Sequence, residues 1–168
     1  MTRVFNLFLR MWILRANPLE LPVSRVLTHT LAGLYIIVSL ATMLEQMGFS
    51  RALAAAMIDI ALLVAPVMAL LAISGFPERG YQTLSAILGA SIVLVIALLL
   101  LGAFVSSPHS RQSAELVVLA WYVLIFGHVL RQAVSLPVLL GATFAFLYVM
   151  VSDEVIRALF INGVGATG

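Results

Sequence analysis

The sequence predicts an all-α polytopic membrane protein: five transmembrane helices preceded by an N-terminal interfacial amphipathic helix. Three observations carry that expectation. Of 168 residues, 63% are hydrophobic and only 10% are charged, where soluble domains run at about 45–50% and about 25%. A chain of this length has too little interior to hide so much apolar surface from water. The apolar residues also fall into stretches of about 20, the length that crosses a hydrocarbon core as a helix. Short breaks with turn chemistry separate the stretches, which makes consecutive helices antiparallel neighbours.

Residues 1–24 form the first segment. "MTRVFNLFLRMWILRA" places Arg3, Asn6 and Arg10 on one helical face, with Phe5, Phe8, Leu9, Trp12 and Ile13 mostly elsewhere. That pattern suits a helix lying in the membrane surface, its apolar face in the acyl boundary and its arginines at the headgroups. Arg10 interrupts the apolar run and no small-residue cleavage pattern succeeds it, which argues against a signal peptide. "ANPLELPVS" then leaves the helix through Pro18 and Pro22, and Ser24 is placed to cap the first membrane helix.

The bundle is expected over residues 25–161, with spans at 25–47, 52–76, 81–105, 114–133 and 136–152, the last open to extension as far as Phe160. Residues 162–168 form a C-terminal tail. The breaks are "EQMGFSR", with Gly48 for the turn and Ser50 as a cap, then "GFPERG", "SSPHSRQS" and "VSLP". All nine basic residues are arginine, a composition common in GC-rich bacterial genes. With five spans, Arg3, Arg10, Arg15, Arg25, Arg79 and Arg131 share one side, and Arg51, Arg111 and Arg157 the other. The positive-inside rule places the N-terminus in the cytoplasm and the C-terminus in the periplasm of a bacterial inner membrane.

Each span has a packing face. In the first, Thr28, Ala32, Tyr35, Ser39, Thr42 and Gln46 recur at helical spacing, a small and polar stripe that lipid cannot satisfy. The second offers Ala52, Ala55, Ala56, Asp59 and Pro66; the third Ser85, Ala86, Gly89 and Ala90; the fifth Gly141, Ala145, Tyr148 and Ser152. The fourth shows an aromatic and polar face through Trp121, Ile125, His128 and Gln132.

Asp59 is the residue that asks for an explanation, because it stands inside the apolar run "AAAMIDIALLVAPV". At about 1.5 Å per residue it lies roughly 12 Å below the outer end of its span. Ser39, Thr42 and Tyr122 are at comparable depth, so the expected intramembrane polar cluster is Asp59, Ser39, Thr42 and Tyr122. Two roles are open to it. It pins helices together by hydrogen bonds, or it serves as a proton or cation relay, as ionisable groups at membrane depth often do.

Other chemistry is excluded or weak. The chain contains no cysteine, which removes disulfides and thiol catalysis. His109 falls on one side and His29 and His128 on the other, so the histidines cannot share a metal. His128 and Arg131 form instead a polar pair on the cytoplasmic side. "AISG" at residues 72–75 lacks the leading glycine of a rhomboid-type protease loop, and no later histidine falls in a suitable span. "DEVIR" at 153–157 departs from the paired-glutamate motif of prenyl-protein endopeptidases and reads as an Asp153–Arg157 surface pair. No basic block suggests nucleic acid. No catalytic residue, metal or cofactor is expected.

"NPLELP" before the first span, "RGYQTLSAILGAS" opening the third, and "LAWYVLIFGHVLRQAVSLP" running from the fourth into the fifth make up a pattern. With five closely spaced helices, it resembles the bacterial branch of the Yip-type (Rab-GTPase-interacting) membrane proteins and uncharacterised proteobacterial inner-membrane proteins of that layout. The resemblance implies membrane organisation or trafficking and brings no catalytic residues. The expected function is therefore a non-enzymatic scaffold or accessory subunit, its partners lipid, other membrane subunits or further copies of itself. The alternative is a small transporter or channel using Asp59 as a proton- or ion-linked group.

Overall fold

The computed structural model describes residues 21–105 and 107–161. The expected interfacial helix and the C-terminal tail lie outside the described residues, except that Leu21 is buried and its carbonyl accepts from Gln82 Nε2 at 2.7 Å.

The described chain is helical apart from short connections and contains five helices long and apolar enough to cross a membrane. They are α1 (Arg25–Met47), α2 (Phe49–Ile73), α3 (Gly80–Phe104), α4 (Pro108–Val134) and α5 (Val138–Ile156). A short 3-10 turn, Pro77–Arg79, precedes α3, and a π-helical turn, Arg157–Ile161, prolongs α5.

Local chemistry explains most boundaries. Ser24 caps α1 as expected, its Oγ accepting from Leu27 N at 3.2 Å. Gly48 ends α1 and begins α2, with φ 73° and ψ 168°, a conformation open to glycine. Ser50 is consequently inside α2 rather than its cap. Helix α4 starts six residues before the expected 114, so His109 sits in its first turn and not in a loop. Pro108 at the first helical position needs no N–H partner and is preset in φ, and Arg111 pairs with Glu115 one turn on at 2.7 Å. Between α4 and α5, Ser135 adopts the left-handed region (φ 57°).

Helix α1 packs against α2 and α3, α3 against α4, and α4 against α5. Helix α2 meets α5, and α3, along thinner seams. The circuit of helices therefore closes between α2 and α5 where packing is sparse. Helix α3 is the most enclosed: every residue from Thr83 to Ile92 is buried. Its small residues Ser85, Ala86, Gly89 and Ala90 let neighbours come close.

Two expected faces are corrected. Pro66 is exposed, and α2 buries Ala52, Ala55, Ala56, Asp59, Leu63, Val67 and Leu71. The buried positions run on in steps of four from Asp59 through Leu63, Val67 and Leu71, and Pro66 falls beside that row. The fourth span also has a small-residue seam. Gly127 is buried against α5, and a Cβ there would meet Ala142 N at 2.7 Å. A Cβ on Gly141 would meet Gly127 O at 2.5 Å. The buried face of α4 is Tyr122, Ile125, Phe126, Val129, Leu130 and Ala133, while Trp121 is 40% exposed.

Large apolar side chains cover the outside, among them Val26, Ile37, Ile73, Phe104, Leu116, Val117 and Leu139. In water such a surface would aggregate; in a bilayer it is the contact with acyl chains. At one end, Arg79 Nη1 donates to Ala133 O at 2.7 Å and lies over the Phe76 ring, 4.1 Å from its centroid. Arg25 lies 5.6 Å from the centroid of the Tyr81 ring at the same end. The α2–α3 connection, the start of α1 and the end of α4 thus meet on one side.

Candidate functional site

Asp59 is 7% exposed and sits in the third turn of α2, where Ala55 and Ala56 leave room for neighbouring helices. Its Oδ2 accepts from the Tyr35 hydroxyl of α1. Its Oδ1 accepts from the Ser152 hydroxyl and from the Tyr148 hydroxyl of α5, the latter at 3.2 Å. Three hydroxyls from two helices therefore converge on one carboxyl group. A hydroxyl donates one hydrogen bond and accepts others, so the same set serves a carboxylate or a carboxylic acid.

The expected partners are placed otherwise. Ser39 is buried, and Thr42 Oγ1 donates to the Ser39 backbone carbonyl at 2.7 Å. That bond satisfies the hydroxyl within its own helix. Tyr122 is buried close to Asp59, yet its hydroxyl pairs with Ser91 Oγ at 2.8 Å. Ser91 in turn donates to Ile87 O at 2.9 Å. Helical spacing gives the depth of these groups and not their reach. Ser39 has a short side chain, whereas Tyr35, one turn earlier on the same stripe, spans the gap with its ring. Ser152 stands as far from the start of α5 as Asp59 does from the end of α2, and both of those ends lie on one side of the bundle, a match that the span bounds read from the sequence give to within one residue.

A cavity of about 180 Å³ adjoins the cluster. All five helices line it: Tyr35 and Met43 from α1, Asp59 from α2, Ser91 and Leu94 from α3, Leu119 and Tyr122 from α4, Tyr148 and Ser152 from α5. Asp153 and Ile156 also line it, so the cavity runs from Asp59 towards the end of the bundle holding Gly48 and Ser107. Phe126 packs edge-on against both Tyr122 and Tyr148, at ring-centroid distances of 5.8 and 5.6 Å, and steadies these two walls.

The remaining candidates stay apart from this cluster. His128 is half-buried and Arg131 exposed near the other end of α4. His29 bonds the Arg25 carbonyl through Nδ1 at 2.7 Å, and His109 is exposed. Among the described residues no three His, Asp or Glu side chains gather as a metal site would require. Asp153 pairs with Arg157 at 2.8 Å, as the i,i+4 spacing implies. A second polar junction, Thr28 Oγ1 with Ser85 Oγ at 2.8 Å, joins α1 to α3.

Comparison of the chain with protein-family models, with curated proteins and with solved structures finds no match.

Proposed function

We propose that this chain is a small membrane transporter, or an ion-linked binding protein, in which Asp59 receives a proton or cation from the cavity. One observation carries the reading: the cavity lined by all five helices ends on Asp59, a carboxyl group buried at membrane depth. A carboxyl group placed at membrane depth for packing alone has no need of an approach route. Here the route exists, and its walls contain hydroxyls able to pass or hold a proton. The α2–α5 seam, sparsely packed and bridged by Asp59, is the natural place for the bundle to loosen when those bonds change.

A second reading has its own support. Asp59 is engaged by Tyr35, Tyr148 and Ser152, which ties α2 to α1 and α5 as a structural pin would. With the Yip-type resemblance, that favours a non-enzymatic scaffold or accessory subunit assembling with other membrane proteins or with itself. Both readings place the chain in a bacterial inner membrane with a cytoplasmic N-terminus, as the arginine distribution implies.

Reconstitution into liposomes decides between them. Under an imposed gradient, a proton or cation flux is expected from the native chain and is expected to vanish in Asp59→Asn. A native chain without flux, together with an Asp59→Leu variant that loses thermal stability where Asp59→Asn keeps it, would leave the structural pin as the role of Asp59.

A further inference from the structure

The lining of the pocket specifies the kind of cation, an inference that rests on the transport reading above. We infer that the Asp59 pocket binds a small organic monocation, an ammonium or trimethylammonium group carrying a short chain. The sign comes first. Among the described residues no arginine or histidine lines the cavity, and the carboxyl groups that do are Asp59 and Asp153. Asp153 is already paired with Arg157 at the exposed rim. Asp59 therefore supplies the attraction at the buried end.

Size comes next. An apolar cavity of about 150 Å³ takes up a benzene molecule. At about 180 Å³ and open on one side, this one admits a head group of about that size with its chain extending outwards. A bare inorganic ion would leave most of the space unfilled.

The walls complete the argument. Leu94, Val95, Leu119, Val149 and Ile156 offer no oxygen to replace the water of an inorganic ion. They do accommodate methyl and methylene groups. Tyr35, Tyr122 and Tyr148 bring three aromatic rings to the same cavity, and aromatic faces attract alkylammonium ions. The Tyr122 hydroxyl is occupied by Ser91, so its ring is what it contributes. Of the bonds to Asp59, that from Tyr148 at 3.2 Å is the longest and is the one an arriving cation displaces.

The test uses the full chain in lipid nanodiscs and two probes of matched shape. Choline carries the charge; 3,3-dimethylbutan-1-ol replaces its nitrogen with carbon and is neutral. Calorimetric titration is expected to show choline binding at least tenfold more tightly than the alcohol. Asp59→Asn is expected to abolish choline binding while circular dichroism shows a folded bundle. Tyr122→Leu removes the ring and is expected to weaken binding several-fold, and Tyr122→Phe, which restores the ring, is expected to recover most of that loss. Equal binding of alcohol and choline, or choline binding that survives Asp59→Asn, overturns the inference. An Asp59-dependent flux of protons or sodium without choline binding overturns the organic-cation class and leaves transport standing. Absence of both binding and flux overturns both.

Discussion

Tyr148 of α5 donates a hydrogen bond to Asp59 of α2 at 3.2 Å, across a seam where the two helices otherwise share little packing. Ser152, one turn along α5, reaches the same carboxyl oxygen. Polar bonds thus hold the place in the circuit where apolar contact is thinnest. In lipid this is an effective division of labour, because acyl chains compete for apolar contacts but offer no hydrogen bonds.

The first prediction concerns those bonds. Asp59→Asn is expected to fold normally, since an amide both accepts from and donates to hydroxyls. Asp59→Leu is expected to lose about 1 kcal/mol, leaving Tyr35, Tyr148 and Ser152 without their shared partner. A double-mutant cycle of Tyr148→Phe with Asp59→Leu is expected to give a coupling of about 0.6 kcal/mol, the membrane average. Thermal unfolding in nanodiscs measures all three. A zero coupling would mean that the seam does not depend on this bond.

A second prediction separates glycines by their surroundings. Glycine to alanine normally favours a helix by about 0.5–1 kcal/mol. Gly33 has nothing within 4 Å of where a Cβ would stand, so Gly33→Ala is expected to be neutral or stabilising. Gly141→Ala would bring its Cβ to 2.5 Å from Gly127 O, and Gly127→Ala would reach Ala142 N at 2.7 Å. Both obstacles are backbone atoms, which cannot rotate aside. Each of these two variants is expected to lose about 1–3 kcal/mol by overpacking. Melting temperatures of the three variants check the order.

Much of this fold is legible in the sequence because membrane helices announce themselves by length and apolarity. The stripe from Thr28 to Thr42 and the face Gly141, Ala145, Tyr148, Ser152 both read as interior, and they contain every partner of Asp59. Which hydroxyl takes which partner is not legible. Spacing gives a residue's face and depth but not the reach of its side chain, so it points to Ser39 where Tyr35 is the partner. The Gly127–Gly141 approach is hidden for another reason. A close contact between two helices depends on their crossing point, and Gly127 has no second small residue at i+4 to mark it; that position is Arg131. The early start of α4 turns on Pro108, which looks like a breaker in a polar stretch and acts as a first-turn residue.

Arg79 is the basis of a third prediction. Its guanidinium donates to the Ala133 carbonyl, one of the last acceptors of α4 left without an intrahelical donor, and rests on the Phe76 ring. A cation at a helix C-terminus is also favoured by the helix dipole. Arg79→Gln is expected to cost about 1 kcal/mol, discounted for the half-exposed setting. Hydrogen exchange is expected to accelerate in the last turn of α4 and at the Ser135 turn, with little change around Asp59. An equal acceleration throughout the bundle would show that Arg79 acts on global stability and not on that end.

The last prediction fixes the direction in which the cavity opens. The native chain has no cysteine, so single cysteines can be introduced without removing any other. Glu78 and Ser107 are both exposed and flank α3 at opposite ends. Glu78 lies beside Arg79, at the end where α1 begins and α4 finishes. Ser107 lies at the end towards which the Asp59 cavity extends, with Asp153 and Ile156. The orientation proposed from the arginine distribution puts the Glu78 end in the cytoplasm. In intact spheroplasts a membrane-impermeant maleimide is then expected to label Ser107→Cys and to spare Glu78→Cys until the membrane is broken. The reverse pattern would turn the chain over and open the cavity to the cytoplasm, which would reverse the side from which a cation enters. Labelling of both from outside would mean that α3 does not cross the bilayer. That would contradict the mean hydropathy of 2.9 of the span Pro77–Phe104 that contains α3, the highest among the described spans.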